Sequence, residues 1–455
     1  MWDGEFGEGE LDRTDIVFGS GARVRGDHVT FVSSATTVDR LQTLESGDDI
    51  WISNSLPCLL AATGAELDRT YPHYFRDFSS IRLGLARYES QLRTSRGPVR
   101  LVYFNNLTWD GSQLRVVPKP GPARDFSSFE RYRGFLATSL QRLARNAGDT
   151  ARRHPYHLLG TISSGYDSPT VTALAREAGL RDVISFESGA NGASDSGHEI
   201  ANRLGLRVTV VPRDAWRGTA LAEVPFLAAD AKGEDVYFTS AGSTLSGAVL
   251  LTGYHGDKAW GTTTTSLGPD LVRGDQSGLS LTEYRLRVGF LHCPVPFMGI
   301  RQIADIHRLS RSAELSRWDV GGDYTRPICR RIVEEAGVPR QLFGIEKKAS
   351  SVLFFRGSSF LTPEALSEYL PWLEAHALGG SSGPGWGRVA LDALGGVARG
   401  VERLASAVGL RAAARVARLV ANQLDREPRF RWLFPWATEL ARAPYAKSNG
   451  PATMR

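Results

Sequence analysis

Apolar residues recur along this chain in two rhythms, and the change between them divides it. Up to about residue 125 the apolar runs are short and broken by Gly, Asp and Ser, at 15–18, 29–33 and 50–53, a pattern that predicts strands. Residues 101–109 and 113–117 flank Asp110-Gly111, a dipeptide suited to a tight hairpin turn. Residues 55–62 read as a short helix. From Phe126 the period lengthens. Phe129, Tyr132, Leu136, Leu140 and Leu143 fall on one side of a helix over 126–146. Buried-strand runs at 158–162, 183–187, 206–211 and 249–251 then alternate with helix-length segments. That alternation predicts an α/β fold, a parallel sheet with helices on both faces and ligands at the carboxyl ends of the strands. Past residue 376 the run HALGGSSGPGWG is a break. Helical pattern follows, with Arg399, Arg403, Arg411, Arg415 and Arg418 among Val401, Leu404, Val408, Leu410, Val416, Leu419 and Val420. Such a basic face is either solvated or a docking site for a partner or an anionic membrane. The segment 432–436 is expected to pack the tail on the body. The divisions expected are 1–125, 126–378 and 379–455.

Composition narrows the class. The 455 residues are 42% hydrophobic and 23% charged, as in soluble globular proteins. A net charge of +5 suits phosphorylated ligands and is too small to argue for nucleic acid. Cys58, Cys293 and Cys329 are far apart, which fits a reducing, cytoplasmic setting and not a disulfide framework or zinc site. The opening MWDGEFGEGELDRTD lacks the regions of a signal peptide, and no run approaches ~18 apolar residues, so no spanning helix is expected.

Candidate chemistry lies in a few stretches. Residues 157–180 pass from an apolar run through Ser163-Ser164-Gly165-Tyr166-Asp167-Ser168 into a helix whose Val171, Leu174, Ala175 and Ala178 share a face. Ser168 suits the N-cap and Pro169 the first helical position. Small residues at a helix N-terminus offer N–H groups and hydroxyls to an anion, so a phosphate site is expected here. Neither of the two common glycine-rich nucleotide loops is present. Residues 249–261, VLLTGYHGDKAWG, end an apolar run in a turn bearing Gly253, Tyr254, His255, Asp257 and Lys258. Residues 280–297 carry Glu283, readable as a first-turn helix acid, with His292 and Cys293 read as packing. Residues 324–350 run through a helix and Val338-Pro339 to Lys347 and Lys348, which also read as a solvated pair. Ser196 to Glu199 has capping-box spacing, and His198 reads as a solvated histidine.

The hexapeptide 163–168 resembles the S-G-G-x-D-S signature of the PP-loop ATP pyrophosphatases, with Ser164 for the first glycine. The turn T-G-Y-x-x-D is similar to the second signature of the asparagine synthetase family, S-G-x-G-x-D-E, with Lys258 for the glutamate. It is closer to the β-lactam synthetase branch. The segment after Pro339 resembles the family's lysine-delivering segment, with Ile345 at its arginine and Lys347, or else Lys348, at its lysine. The three follow in the family's order. The first 125 residues resemble an abridged glutaminase domain, but Trp2 stands where that domain has its cysteine, and Cys58 reads as a core thiol. The chain also looks like the lasso-peptide macrolactam synthetases.

The resemblance implies a doubly wound, adenine nucleotide α-hydrolase-like synthetase domain, a degenerate Ntn-like first domain and a helical tail. It implies an ATP-dependent ligase that adenylates a carboxylate and passes the acyl group to an amine, and a homodimer is compatible with it. Substrates would be a small-molecule or peptide acid and amine. Ser163, Ser164, Gly165, Tyr166, Asp167, Ser168, Phe186 and Gly253 would hold ATP, and Asp167 and Asp257 would hold Mg²⁺. Tyr254, polarised by Glu283, would be the base and Lys347 would stabilise developing charge. Two other readings stand beside this one, a non-catalytic nucleotide-binding scaffold and a PP-loop sulfur-transfer enzyme, which commonly needs cysteine pairs.

Overall fold

The computed structural model describes residues 1–6, 10–186, 194–345, 352, 360–378 and 428–448, with scattered positions between 394 and 417. Lys347, Lys348 and the arginines at 399, 403, 411, 415 and 418 lie outside the described residues.

The first part is built of two antiparallel sheets. One orders Gly21–Arg25, His28–Val32, Asn106–Trp109 and Leu114–Val117; the other orders Asp49–Ser53, Arg40–Ser46, Val99–Tyr103 and Gln91–Leu92. Leu41, Val102 and Leu107, with Phe31, Ile52, Leu114 and Val116, form an apolar cluster to which both sheets contribute. The hairpin at Asp110 forms as expected, and Asp110 Oδ1 accepts from the N–H groups of Ser112 and Gln113 at 3.0 and 2.8 Å. The run 101–109 is not one strand. It breaks at Phe104, where φ is 62°, and its halves join different sheets. Residues 15–18 make only a bridge, between Trp2 and Val17.

The second part holds a five-stranded parallel sheet. Its strands are β1 (His157–Ile162), β2 (Asp182–Phe186), β3 (Arg207–Val211), β4 (Ala248–Thr252) and β5 (Leu291–Pro294), ordered β3-β2-β1-β4-β5. Neighbouring residues of a strand serve opposite faces. Val183, Val249 and Leu251 enter one core, and Ile184, Ala248 and Leu250 enter another. Both faces are therefore covered, as parallel sheets require. The helix Phe129–Ala147, capped by Ser128, buries its predicted stripe in the first core. Each such large side chain contributes about 1.5–3 kcal/mol by burial. The strand order reverses between β1 and β4, so the loops after these adjacent strands open a crevice at their carboxyl ends.

The C-terminal helix Leu433–Ser448 packs on Leu56–Thr63 and Val224–Asp230, burying Leu433, Phe434 and Trp436. This agrees with the expected seat of segment 432–436. No described helix is long and apolar enough to cross a membrane.

Candidate active site

The loop after β1 bends on its own hydroxyls. Ser163 Oγ lies 2.9 Å from Ser168 Oγ and accepts the Gly165 N–H at 3.3 Å. Ser164 turns aside, its N–H and hydroxyl donating to Asp195 at 3.2 and 2.7 Å. The helix begins at Asp167, so Ser168 is not its cap and Pro169 stands third. Tyr166 sinks into the core, its hydroxyl 2.5 Å from Arg330 and its ring against Tyr324. The expected capping box at Ser196 does not form, because the helix His198–Arg203 has Gly197 at its N-cap and exposed Glu199 lies toward Arg203.

The loop after β4 comes down on this helix start. A Cβ at Gly253 would stand 2.4 Å from Asp167 Cβ, and one at Gly256 would stand 2.5 Å from Asp167 Oδ1. Only glycine admits that approach. Between them His255 holds a left-handed φ of 73°, its ring stacked on Phe297 at 4.7 Å. Burial pushes its pKa down to about 3, so the ring is neutral. Asp257 is the second residue of the short helix Gly256–Ala259 and takes no hydrogen bond or ion pair from the described residues.

These elements surround one cavity of about 220 Å³, lined by Ser163, Gly165, Tyr166, Asp167, Ser168, Phe186, Gly253, Tyr254 and Asp257 among others. Ser164 reaches it only through Asp195. Phe186, at the end of β2, forms an aromatic wall with Tyr237 and Phe238 at 4.7 and 5.1 Å. Four carboxylates line the cavity, Asp167, Asp195, Asp257 and Asp275. Asp167 pairs with Arg326. Asp195 is taken by Ser164. Asp275 accepts the Ser277 N–H at 3.1 Å and lies 3.7 Å from Arg273.

Glu283 does not join this site, and its expected pairing with Tyr254 is corrected. It sits in the first turn of Leu281–Val288, buried, with Ser55 Oγ donating to it at 2.8 Å and Tyr445 Oη at 2.6 Å. Ser55 also caps the helix Leu56–Thr63. Tyr254 instead donates to Asp235 at 3.1 Å, and its oxygen lies 2.8 Å from Tyr237 Oη. Asp235 further accepts from the Gly278 N–H at 3.0 Å and from Ser280 Oγ. Burial, with Glu234 nearby, pushes Asp235 up to about 8 despite those donors. Tyr254 is raised well above the usual tyrosine value by burial, then by Tyr237 and Asp235.

Asp235, Tyr237, Asp195 and Arg326 were not marked by the sequence. Arg326 stood within the 324–350 stretch, and its place before a helix-opening proline was the one available signal. Cys58 is half-buried, and burial raises its thiol.

The residues suit a divalent cation that arrives with phosphate. Among the described residues no three His, Cys, Asp or Glu side chains gather as a self-sufficient metal site. Mg²⁺ is commonly held by one or two carboxylates plus substrate phosphates, and Asp167 with Asp257, which has no partner among the described residues, meets that pattern. Compared with protein-family models and with curated protein sequences, the chain matches none.

Proposed function

We propose that this chain is an ATP-dependent, AMP-forming amide ligase of the asparagine synthetase and β-lactam synthetase kind. On this reading the parallel sheet belongs to a doubly wound nucleotide-hydrolase-like domain. The observation that carries the proposal is convergence. Asp167, Tyr254 and Asp257, from two loops distant in sequence, line one cavity at the carboxyl ends of adjacent strands.

The residues divide the work. Ser163, Gly165 and Ser168 would bind phosphate oxygens, exchanging their internal hydrogen bonds for the ligand's. Asp167 and Asp257 would hold Mg²⁺, which would screen the phosphate charge. Phe186 would offer an apolar face to the base. The Gly344 N–H donates to the Ser164 carbonyl at 2.9 Å. The chain therefore reaches the loop three residues before Lys347, the group proposed to offset charge at the α-phosphate. A substrate carboxylate oxygen attacks the α-phosphorus and pyrophosphate leaves. The amine then attacks the acyl carbon, loses a proton, and AMP leaves.

The proton's route follows from the Tyr254 partners. A carboxylate beside a phenol disfavours the phenolate, so Tyr254 would not wait as a base. Where Asp235 is ionised, above about pH 8, Tyr254 would take the amine's proton while passing its own to Asp235, whose proton affinity burial has raised. Trp2, buried at the place of the family's nucleophile, cannot form a thioester. The amine would then come from the substrate, as in macrolactam closure. A sulfur relay is less well supported, because burial raises the Cys293 and Cys329 thiols. The test is AMP and pyrophosphate release with candidate acids and amines. Wild type should release both and Asp167→Ala neither, and undiminished release by the variant would overturn the assignment.

A further inference from the structure

Arg326 combines two features at the cavity. It precedes Pro327, the first residue of Pro327–Glu335, and proline keeps it out of the helical region, with φ −142° and ψ 82°. Its guanidinium is buried, pairs with Asp167, and lies 5.5 and 5.8 Å from the ring centroids of Tyr324 and Tyr166. A planar guanidinium ordered against aromatic rings is prepared to grip phosphate oxygens in a fork. Among the described cavity-lining residues it is the only arginine. The candidate phosphate cation is thus spent on a candidate metal carboxylate.

We propose that Arg326 couples metal binding to nucleotide binding. Without nucleotide its charge cancels that of Asp167, leaving Asp257 as the only lining carboxylate without a partner among the described residues. One carboxylate is a poor site for a bare divalent cation. When a nucleoside triphosphate enters, Arg326 transfers to a phosphate oxygen, and the cation gains Asp167, Asp257 and phosphate oxygens together. Coupling is reciprocal, so metal strengthens nucleotide binding by the same factor. This deepens the nucleotide reading above and rests on it.

The test titrates the full chain with Mn²⁺, followed by electron paramagnetic resonance, with and without α,β-methylene-ATP. Wild type should bind Mn²⁺ at least about tenfold more tightly when the nucleotide is present. Arg326→Gln should bind Mn²⁺ alone about tenfold more tightly than wild type and bind nucleotide about tenfold more weakly. Arg326→Lys keeps a charge beside Asp167 but loses the fork, so Mn²⁺ alone should bind as in wild type and nucleotide more weakly. Equal Mn²⁺ affinity in wild type and Arg326→Gln, with nucleotide binding intact, overturns this inference alone. If circular dichroism shows that Arg326→Gln does not fold, Arg326→Lys decides, and wild-type nucleotide affinity in it overturns the inference. Failure of wild type to bind the Mn²⁺–nucleotide complex overturns the nucleotide reading and this inference with it.

Discussion

Two buried carboxylates each meet a tyrosine, Asp235 with Tyr254 and Glu283 with Tyr445, and the pairs differ in what lies beyond the tyrosine. Tyr254 lines the cavity, and its carboxylate is gripped from behind by Gly278 and Ser280. Glu283 joins three elements instead, the N-cap of Leu56–Thr63, the helix Leu281–Val288 and the C-terminal helix. Both carboxyls are raised by burial. The chemistry of the pairs is alike, and topology alone gives one an opening to a ligand. A perturbed carboxyl is a functional candidate only where geometry supplies a substrate path.

The comparison breaks most sharply at Asp235. Asp235→Asn and Tyr254→Phe should each slow amide formation by about 10²–10⁴-fold while leaving acyl-adenylate formation near wild type. Because the two residues act in one relay, the double variant should lose little more than either single one. Half-reactions measured on the same preparation decide it. Equal loss in both steps would put the pair in the nucleotide site.

Glu283 should behave oppositely. Glu283→Ala removes the acceptor of the Ser55 hydroxyl and one partner of the Tyr445 hydroxyl, costing about 2–3 kcal/mol in urea unfolding, and Tyr445→Phe about 1–2 kcal/mol. Both half-reactions should then change together. A selective loss of amide formation in Glu283→Ala would restore it as the base's partner.

That partnership shows where sequence reading stops. The β1 loop was legible because an apolar run, small polar residues and an amphipathic helix follow one another within a single segment. Asp167, Asp257 and Tyr254 were picked out by the family resemblance, and their places after two apolar runs put them at the carboxyl ends of strands. Asp235 and Arg326 carry no local signature. Asp235 precedes a 3-10 turn, and Arg326 lies between a loop and a proline. Packing of distant segments gives them their partners. The strand β5 was missed because it has four residues and ends in Pro294. The run 101–109 looked continuous because apolar pattern does not register a chain crossing from one sheet to another. Of the two readings open for Glu283, base partner or first-turn helix acid, the second holds, and its partners come from residues 55 and 445, which no spacing rule connects.

A smaller effect concerns pH. An unfolded Asp titrates near ~3.9, whereas burial pushes Asp235 up to about 8. Between those values the folded state holds a proton that the unfolded state has lost. The stabilising contribution is therefore complete below about pH 4 and is lost as pH rises through about 8. Asp235→Asn cannot titrate, so wild-type unfolding free energy relative to this variant should fall across that window. Chemical denaturation at a series of pH values measures it, and a flat difference would mean that Asp235 keeps an ordinary carboxyl value.

The proposed chemistry requires the cavity to be a metal–nucleotide site. Isothermal titration of the full chain with Mg²⁺ and α,β-methylene-ATP tests this directly, since it needs no knowledge of the acid or the amine. One nucleotide should bind per chain, and Asp167→Ala should weaken it by at least about tenfold, the loss of one metal carboxylate. No binding by wild type, or binding indifferent to Asp167→Ala, would contradict the account.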